Sequence, residues 1–362
     1  MLYNIFAPYF SDHAFFNLFR YISFRSGGAF FTSLFICFAF GPVVINFLKA
    51  KQKNGQPIRS DGPQSHLHTK QGTPTMGGIM IIFSIVFSLL IWTNLTNQYV
   101  WIITFIIISF GLIGFADDYL KLTKQNSKGV SGKKKMFLQF LFAIIAVIWI
   151  KATSPAGIDD KLFFPVFKDL IFDLGWFYIP FAVVVVVGSS NAVNLTDGLD
   201  GLATIPIMIV AASFAFISYL VGNILYTDYL HLPYIEGAGE MAIIGSAVVG
   251  ASLGFLWYNA PPAKVFMGDT GSLSLGALIG TISLITKNEI NLAIIGGIFV
   301  IEALSVIVQV YSFKLTGKRV FKMAPIHHHY EQKGWPEATI VIRFWIISII
   351  LAIIGLATLK IR

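Results

Sequence analysis

Asn191-Ala-Val-Asn-Leu-Thr-Asp-Gly-Leu-Asp-Gly-Leu-Ala203 sets two carboxylates, two carboxamides and two glycines between apolar runs at about 177–190 and 201–223. A helix needs roughly 20 apolar residues to cross a bilayer, and polar groups are expensive inside one. A polar cluster between two spans therefore marks a membrane surface at which binding or chemistry takes place. Working outward, further apolar runs lie at about 27–48, 75–92, 99–116, 136–150, 241–258, 273–286, 292–311 and 338–359. The fourth, fifth and eighth of the ten runs are short and are expected to borrow flanking residues. The predicted fold is an all-α integral membrane protein of about ten transmembrane helices, a single polytopic domain over 1–362.

Composition agrees. The chain is 56% hydrophobic and only 12% charged, with a mean hydropathy of +0.74, whereas a soluble domain carries roughly 25% charged residues. The single cysteine, Cys37, lies within an apolar run and excludes a disulfide framework. No small-residue cleavage site follows a basic, apolar N-terminus, so no removable signal peptide is expected. The net charge of +8 reads as membrane topology rather than nucleic-acid binding.

Ten spans put both termini on one side. The odd-numbered connections carry seventeen of the 26 Lys and Arg residues, and the opposite side, termini included, carries eight. The basic side is cytoplasmic by the positive-inside rule, so both termini are predicted to be periplasmic. Residues 1–26, aromatic-rich with scattered charge, read as an interfacial segment. Residues 159–176, bounded by Pro155-Ala-Gly157 and Gly175, read as a short amphipathic hairpin on the outer, periplasmic face.

The cytoplasmic connections share a chemistry that the outer ones lack. The first holds Ser60–Lys70 and Gly72-Thr-Pro-Thr-Met-Gly-Gly78, and the second runs from Asp117-Asp-Tyr-Leu-Lys121 to Lys133-Lys-Lys135. The fourth is Asn259–Ser272 with Phe266-Met-Gly-Asp-Thr-Gly-Ser, and the fifth holds Met323-Ala-Pro-Ile-His-His-His-Tyr330. Asp117 and Asp118 come where a helix enters the cytoplasm. A helix C-terminus repels negative charge by roughly 0.3–1 kcal/mol per group, so the pair calls for a cation or for lysines such as Lys121. Asp197, Asp200 and Asp269 lie near helix starts, where N-capping and catalysis are both open. Asp197 and Asp200, three apart, are expected to share a helix face. Asp269 among free amides suits Mg²⁺, which prefers one or two carboxylates plus phosphate oxygens. His327, His328 and His329 do not suit structural zinc, because adjacent imidazoles do not all reach one ion and no cysteine helps. They read as donors to phosphate or sugar oxygens, or as an interfacial loop. Glu302, deep in a span, is either functional or bonded to neighbouring helices beside Ser305 and Gln309. Five aspartates with Lys70, Lys121 and Lys133 on one face describe a site for a polyanion and a divalent cation, placed to join a water-soluble phosphate compound to a membrane lipid.

Gly72–Gly78, Asp117-Asp-Tyr119, Asn191–Ala203, Phe266–Ser272 and Ala324-Pro-Ile-His-His-His-Tyr-Glu331 together resemble the phospho-N-acetylmuramoyl-pentapeptide-transferase family, the bacterial lipid I synthases, within the polyprenyl-phosphate N-acetylhexosamine-1-phosphate transferase superfamily. The likeness runs from about residue 20 to the C-terminus with the motifs in order. It implies a homodimeric, multi-pass enzyme of the bacterial inner membrane with a cytoplasmic active site. The implied reaction is UDP-N-acetylmuramoyl-pentapeptide with undecaprenyl phosphate, giving lipid I and UMP with Mg²⁺, in peptidoglycan synthesis. By the same resemblance, Asp269 ligates Mg²⁺, and Asp117 and Asp118 assist the metal or deprotonate the lipid phosphate. Lys70, Asp200 and Phe266 hold uracil. Thr75, Asn194 and Asp197 line the sugar-phosphate region, and Asn259 lies near the nucleotide. Lys121 and Lys133 meet phosphate charge, and the three histidines meet the sugar-peptide part. The rivals are a sister transferase that moves N-acetylglucosamine-1-phosphate onto the same lipid, and a secondary transporter, whose polar groups belong at the midplane of interrupted helices.

Overall fold

The computed structural model describes residues 1–11, 13–52, 55, 72–124, 129–167 and 169–360. Each of the ten apolar runs forms a helix: α1 Ile22–Lys51, α2 Gly78–Trp92, α3 Gln98–Thr123, α4 Gly132–Thr153, α5 Tyr178–Thr196, α6 Thr204–Val221, α7 Glu240–Asn259, α8 Gly268–Ile285, α9 Gly297–Thr316 and α10 Glu337–Ala357. Among the described residues, nine of these are long and apolar enough to cross a membrane, and α2, at 15 residues, is shorter. The helices α4, α5 and α8 extend past the apolar runs at one or both ends, as expected. The shortfall falls on α2 instead. The stretch before it is spent on another partner: Phe266 N donates to Pro74 O, and Gly77 N and Gly78 N donate to Phe266 O and Met267 O, all at 2.9 Å. Met76, at φ 74°, turns the chain out of that pairing and into α2.

Two helices organise the bundle, and small residues decide which. α8 is buried from Thr270 to Ile285. Within it Gly276 and Gly280 lie against Ser189, Ser190 and Val186 of α5, and Gly271 lies against Gly78 of α2. Such contacts bring helix backbones close where hydrocarbon offers no hydrophobic drive for association. Hydroxyls then tie the backbones, Ser190 Oγ to Leu273 O and Ser274 Oγ to Ile107 O of α3, each at 2.8 Å. α7 does the same beside α1 and α6: Gly250 meets Phe30 and Ser33, Gly254 meets Cys37, and Gly245 meets Ala211 and Ala215. Helices α9 and α10 are peripheral and mostly exposed, as lipid-facing helices must be.

The expected hairpin is present as β1 Lys161–Phe163 and β2 Ile171–Asp173, antiparallel with Lys161 opposite Asp173. Short helical pieces lie at Leu2–Phe6, Ala7–Tyr9, Ala14–Asn17 and Leu18–Arg20, but α1 begins at Ile22, inside the stretch read as interfacial. The reason is Arg25. Buried at 2% exposure, it pairs with Glu240 of α7 at 2.8 Å and stacks on Tyr3 at 4.4 Å. Glu240 also accepts from Asn94 N at 2.8 Å, so one carboxylate ties α1, α7 and the α2–α3 connection together.

Candidate active site at the start of α8

The geometry of the site follows from how α3 meets the first turn of α8. Gly114 of α3 lies against the Asp269 carbonyl so closely that a Cβ would overlap it. One turn on, Asp118 caps α8 from outside: its Oδ2 accepts from Thr270 N at 3.0 Å and Thr270 Oγ1 at 2.8 Å, and its Oδ1 accepts from Asp269 N at 3.3 Å. A helix N-terminus offers unpaired N–H groups and a positive dipole end. Those amides and the Thr270 hydroxyl, and not solvent, are the hydrogen-bond partners of the fully buried Asp118. Helix α3 in fact continues to Thr123, so Asp117 and Asp118 sit in its last two turns rather than at its end.

Asp117 is held from the other side. Its Oδ1 accepts from Val130 N at 2.9 Å, and Lys121, one turn on, lies 2.6 Å from its Oδ2. Asp269 faces both α3 and α4: Lys135 Nζ lies 2.6 Å and Lys121 Nζ 3.2 Å from its Oδ2, while Asn194 Nδ2 donates to its Oδ1 at 2.9 Å. One oxygen from each of Asp117, Asp118 and Asp269 lies within 4.8 Å of the others, close enough to share one metal ion. Three carboxylates against two ammonium groups leave one negative charge, and the donors are all hard oxygens. Both features fit Mg²⁺, which takes one or two carboxylates and fills its remaining positions with phosphate and water oxygens.

The loop ahead of α2 supplies the remaining wall. Gln52, just past α1, grips Thr75 from both sides, with Nε2 donating to Thr75 O at 3.1 Å and Oε1 accepting from Thr75 N at 2.9 Å. The Thr75 hydroxyl is buried without a partner and faces Gly268 and Asp118. Gly268 has φ 73°, and a Cβ there would lie 2.6 Å from both Asp118 Oδ2 and Thr75 Oγ1.

The remaining predicted residues divide. Asp200, buried at 8% exposure, accepts from Ala263 N at 2.9 Å and so anchors the loop that leads to the half-buried Phe266. Asp197 and Asp200 do not share a helix face, because α5 ends at Thr196 and the chain turns through Asp197–Ala203 before α6; the glycines at 198 and 201 favour that turn over continued helix. Asn259 is buried and spends its amide on the wall, accepting from Thr204 Oγ1 at 2.9 Å and donating to Val265 O at 3.0 Å. Lys70 lies outside the described residues. Lys133 is exposed, whereas Lys135, the third lysine of that run, reaches the aspartates. The signal was the helix phase: α4 starts at Gly132, and Lys135 lies one turn before the buried Gln139, on the inward face. Lys135→Ala is expected to lower turnover roughly 10–100-fold, as for loss of a charged phosphate contact, with Lys133→Ala within about twofold; initial rates of both variants check this.

The histidines separate as well. His327 is fully buried and lies 3.0 Å from Glu302 of α9. His328 Nδ1 meets Glu331 at 2.5 Å. His329 Nδ1 accepts from Lys322 N at 3.1 Å; burial, with Lys333 and Lys322 nearby, lowers its pKa and favours the neutral ring that such acceptance requires. Glu302 thus has an ionisable partner, and Gln309 is occupied with Val320, Phe321 and the Phe321 carbonyl.

Comparison with known families adds two matches. The model of glycosyl transferase family 4 matches residues 100–287, from the start of α3 past the end of α8. The pattern described as phospho-N-acetylmuramoyl-pentapeptide-transferase signature 1 matches residues 70–82, the loop that carries Thr75 and the start of α2.

Proposed function

The chain belongs to glycosyl transferase family 4, and on that premise we propose that the buried Asp117 and Asp118, the half-buried Asp269 and two lysines bind a Mg²⁺–diphosphate and align it for direct attack by a lipid phosphate. The enzyme is a phosphoglycosyl transferase of a multi-pass membrane protein. It moves phospho-N-acetylmuramoyl-pentapeptide from its UDP conjugate to undecaprenyl phosphate, giving lipid I and UMP.

The observation that carries the mechanism is the shared cluster of Asp117, Asp118 and Asp269, bridged by Lys121 and Lys135. Phosphoryl transfer asks chiefly for alignment and for charge neutralisation over the transferring oxygens. A Mg²⁺ held by Asp269 and its neighbours supplies that neutralisation. Lys121 and Lys135, which otherwise neutralise Asp117 and Asp269, turn to the diphosphate. The Thr75 hydroxyl donates to a phosphate oxygen, and Asn194 fixes the Asp269 carboxylate. A lipid phosphate oxygen forms a bond to the phosphorus next to the sugar as the bond to the UMP oxygen breaks. A protonated lipid phosphate gives its proton to Asp117, because Asp118 is committed to capping α8. Uracil lies towards Phe266 and Asp200, and Asp197 lines the sugar-phosphate side. The site faces the cytoplasm of a bacterial inner membrane, both termini face the periplasm, and the enzyme works as a homodimer.

The test is UMP release by detergent-solubilised protein given undecaprenyl phosphate and Mg²⁺ with either UDP-N-acetylmuramoyl-pentapeptide or UDP-N-acetylglucosamine. Release from the first donor alone is expected. Release from the second alone would assign the sister reaction, and silence with both from folded protein would remove the transferase reading.

A further inference from the structure

Glu302 lies on the inward stripe of α9, beside Ile298, Phe299 and Ser305, and both it and His327 are wholly shielded from solvent. His327 Nδ1 lies 3.0 Å from Glu302 Oε1. Each group keeps one buried polar atom without a partner, Glu302 Oε2 and His327 Nε2. The direction of Nε2 is informative: it faces Gly198, where a Cβ would overlap the imidazole at that nitrogen first. Gly198 belongs to the turn that presents Asp197 and Asp200. A carboxylate within an apolar span is costly even when paired, and here it buttresses one imidazole rather than tying helices together. A carboxylate on one ring nitrogen sets the tautomer and the ring orientation, and so fixes the face that the imidazole turns to Gly198.

We propose that Glu302 is a positioning residue for the transfer: it holds the proton on His327 Nδ1 and keeps the imidazole packed beneath Gly198, so that the turn carrying Asp197 and Asp200 is held in place towards the nucleotide-sugar substrate. The inference rests on the transferase reading above. It predicts that Glu302 acts on one substrate only. Glu302→Gln keeps the shape but exchanges a charge-assisted bond for a neutral one, a difference worth about tenfold. The expected result is a KM for UDP-N-acetylmuramoyl-pentapeptide raised about tenfold, with the KM for undecaprenyl phosphate and the Tm unchanged. Gly198→Ala, which displaces Nε2 from the opposite side without touching Glu302, should raise the same KM. On a His327→Asn background, Glu302→Gln should add nothing.

An unchanged KM for the nucleotide substrate in Glu302→Gln, or a fall in Tm with both KM values raised together, would show a merely structural pair and overturn the assignment. So would additive losses in the double variant. Absence of UMP from the wild-type protein would instead overturn the transferase reading, so the two failures are distinguishable.

Discussion

Asp269→Asn is expected to lose Mg²⁺-dependent turnover by on the order of 10³-fold, the scale of removing a principal electrostatic contact in a transition state, while the protein stays folded. Both halves follow from its contacts. The Asp269 carboxylate faces Lys121 and Lys135 on one oxygen and Asn194 on the other. An asparagine still offers Asn194 an acceptor, and Lys121 keeps Asp117 at 2.6 Å. The fold therefore loses little. The site loses a negative charge, falling from three carboxylates against two lysines to two against two, and with it the affinity for a divalent cation. Initial rates across a Mg²⁺ titration, with a thermal melt alongside, check the prediction. Near-normal turnover would remove Asp269 from the metal site.

Gly268→Ala should lower turnover roughly 100-fold or more and the Tm by several degrees. The left-handed conformation of Gly268 (φ 73°) costs an L-residue roughly 1–2 kcal/mol. The added methyl also meets Asp118 Oδ2 and Thr75 Oγ1 at 2.6 Å, on backbone that cannot yield without moving the cap of α8. Gly317→Ala separates the two effects. It carries the same strain at φ 69°, with nothing within 4 Å of its Cβ, so its Tm should fall slightly while turnover stays at the wild-type rate. Equal losses of turnover in the two variants would show that backbone strain alone, and not crowding at the aspartates, is responsible.

The helices were legible because hydrocarbon imposes a length and an apolar composition that few other contexts require, so the ten runs could be counted and all became helices. Boundaries were less legible where a loop found a tertiary partner. The start of α2 at Gly78 depends on pairing between Pro74–Gly78 and Phe266–Met267, which are nearly 200 residues apart in the chain. Asp117, Asp118, Lys121 and Asp269 could be read as one charge cluster because carboxylates and lysines crowd one set of connections. Their division of labour could not: Asp118 acts as a cap for a helix that begins 150 positions later, and no local pattern carries that. Lys133 and Lys135 are indistinguishable in a run of three lysines, because the phase that turns Lys135 inward is unknown until the first residue of α4 is known. Buried pairs such as Arg25 with Glu240, and Glu302 with His327, join elements far apart in sequence; each residue alone reads only as an oddly placed charge.

The reading of Asp117, Asp118 and Asp269 as one divalent-cation site at the start of α8 stands on one oxygen of each lying within 4.8 Å of the others. The most direct test is Mn²⁺ titration of the detergent-solubilised protein followed by electron paramagnetic resonance, with and without UMP, for the wild type and for Asp269→Asn. One saturable Mn²⁺ site per chain is expected in the wild type, tightened by the nucleotide phosphate and lost in the variant. Identical Mn²⁺ binding by the two proteins would contradict it.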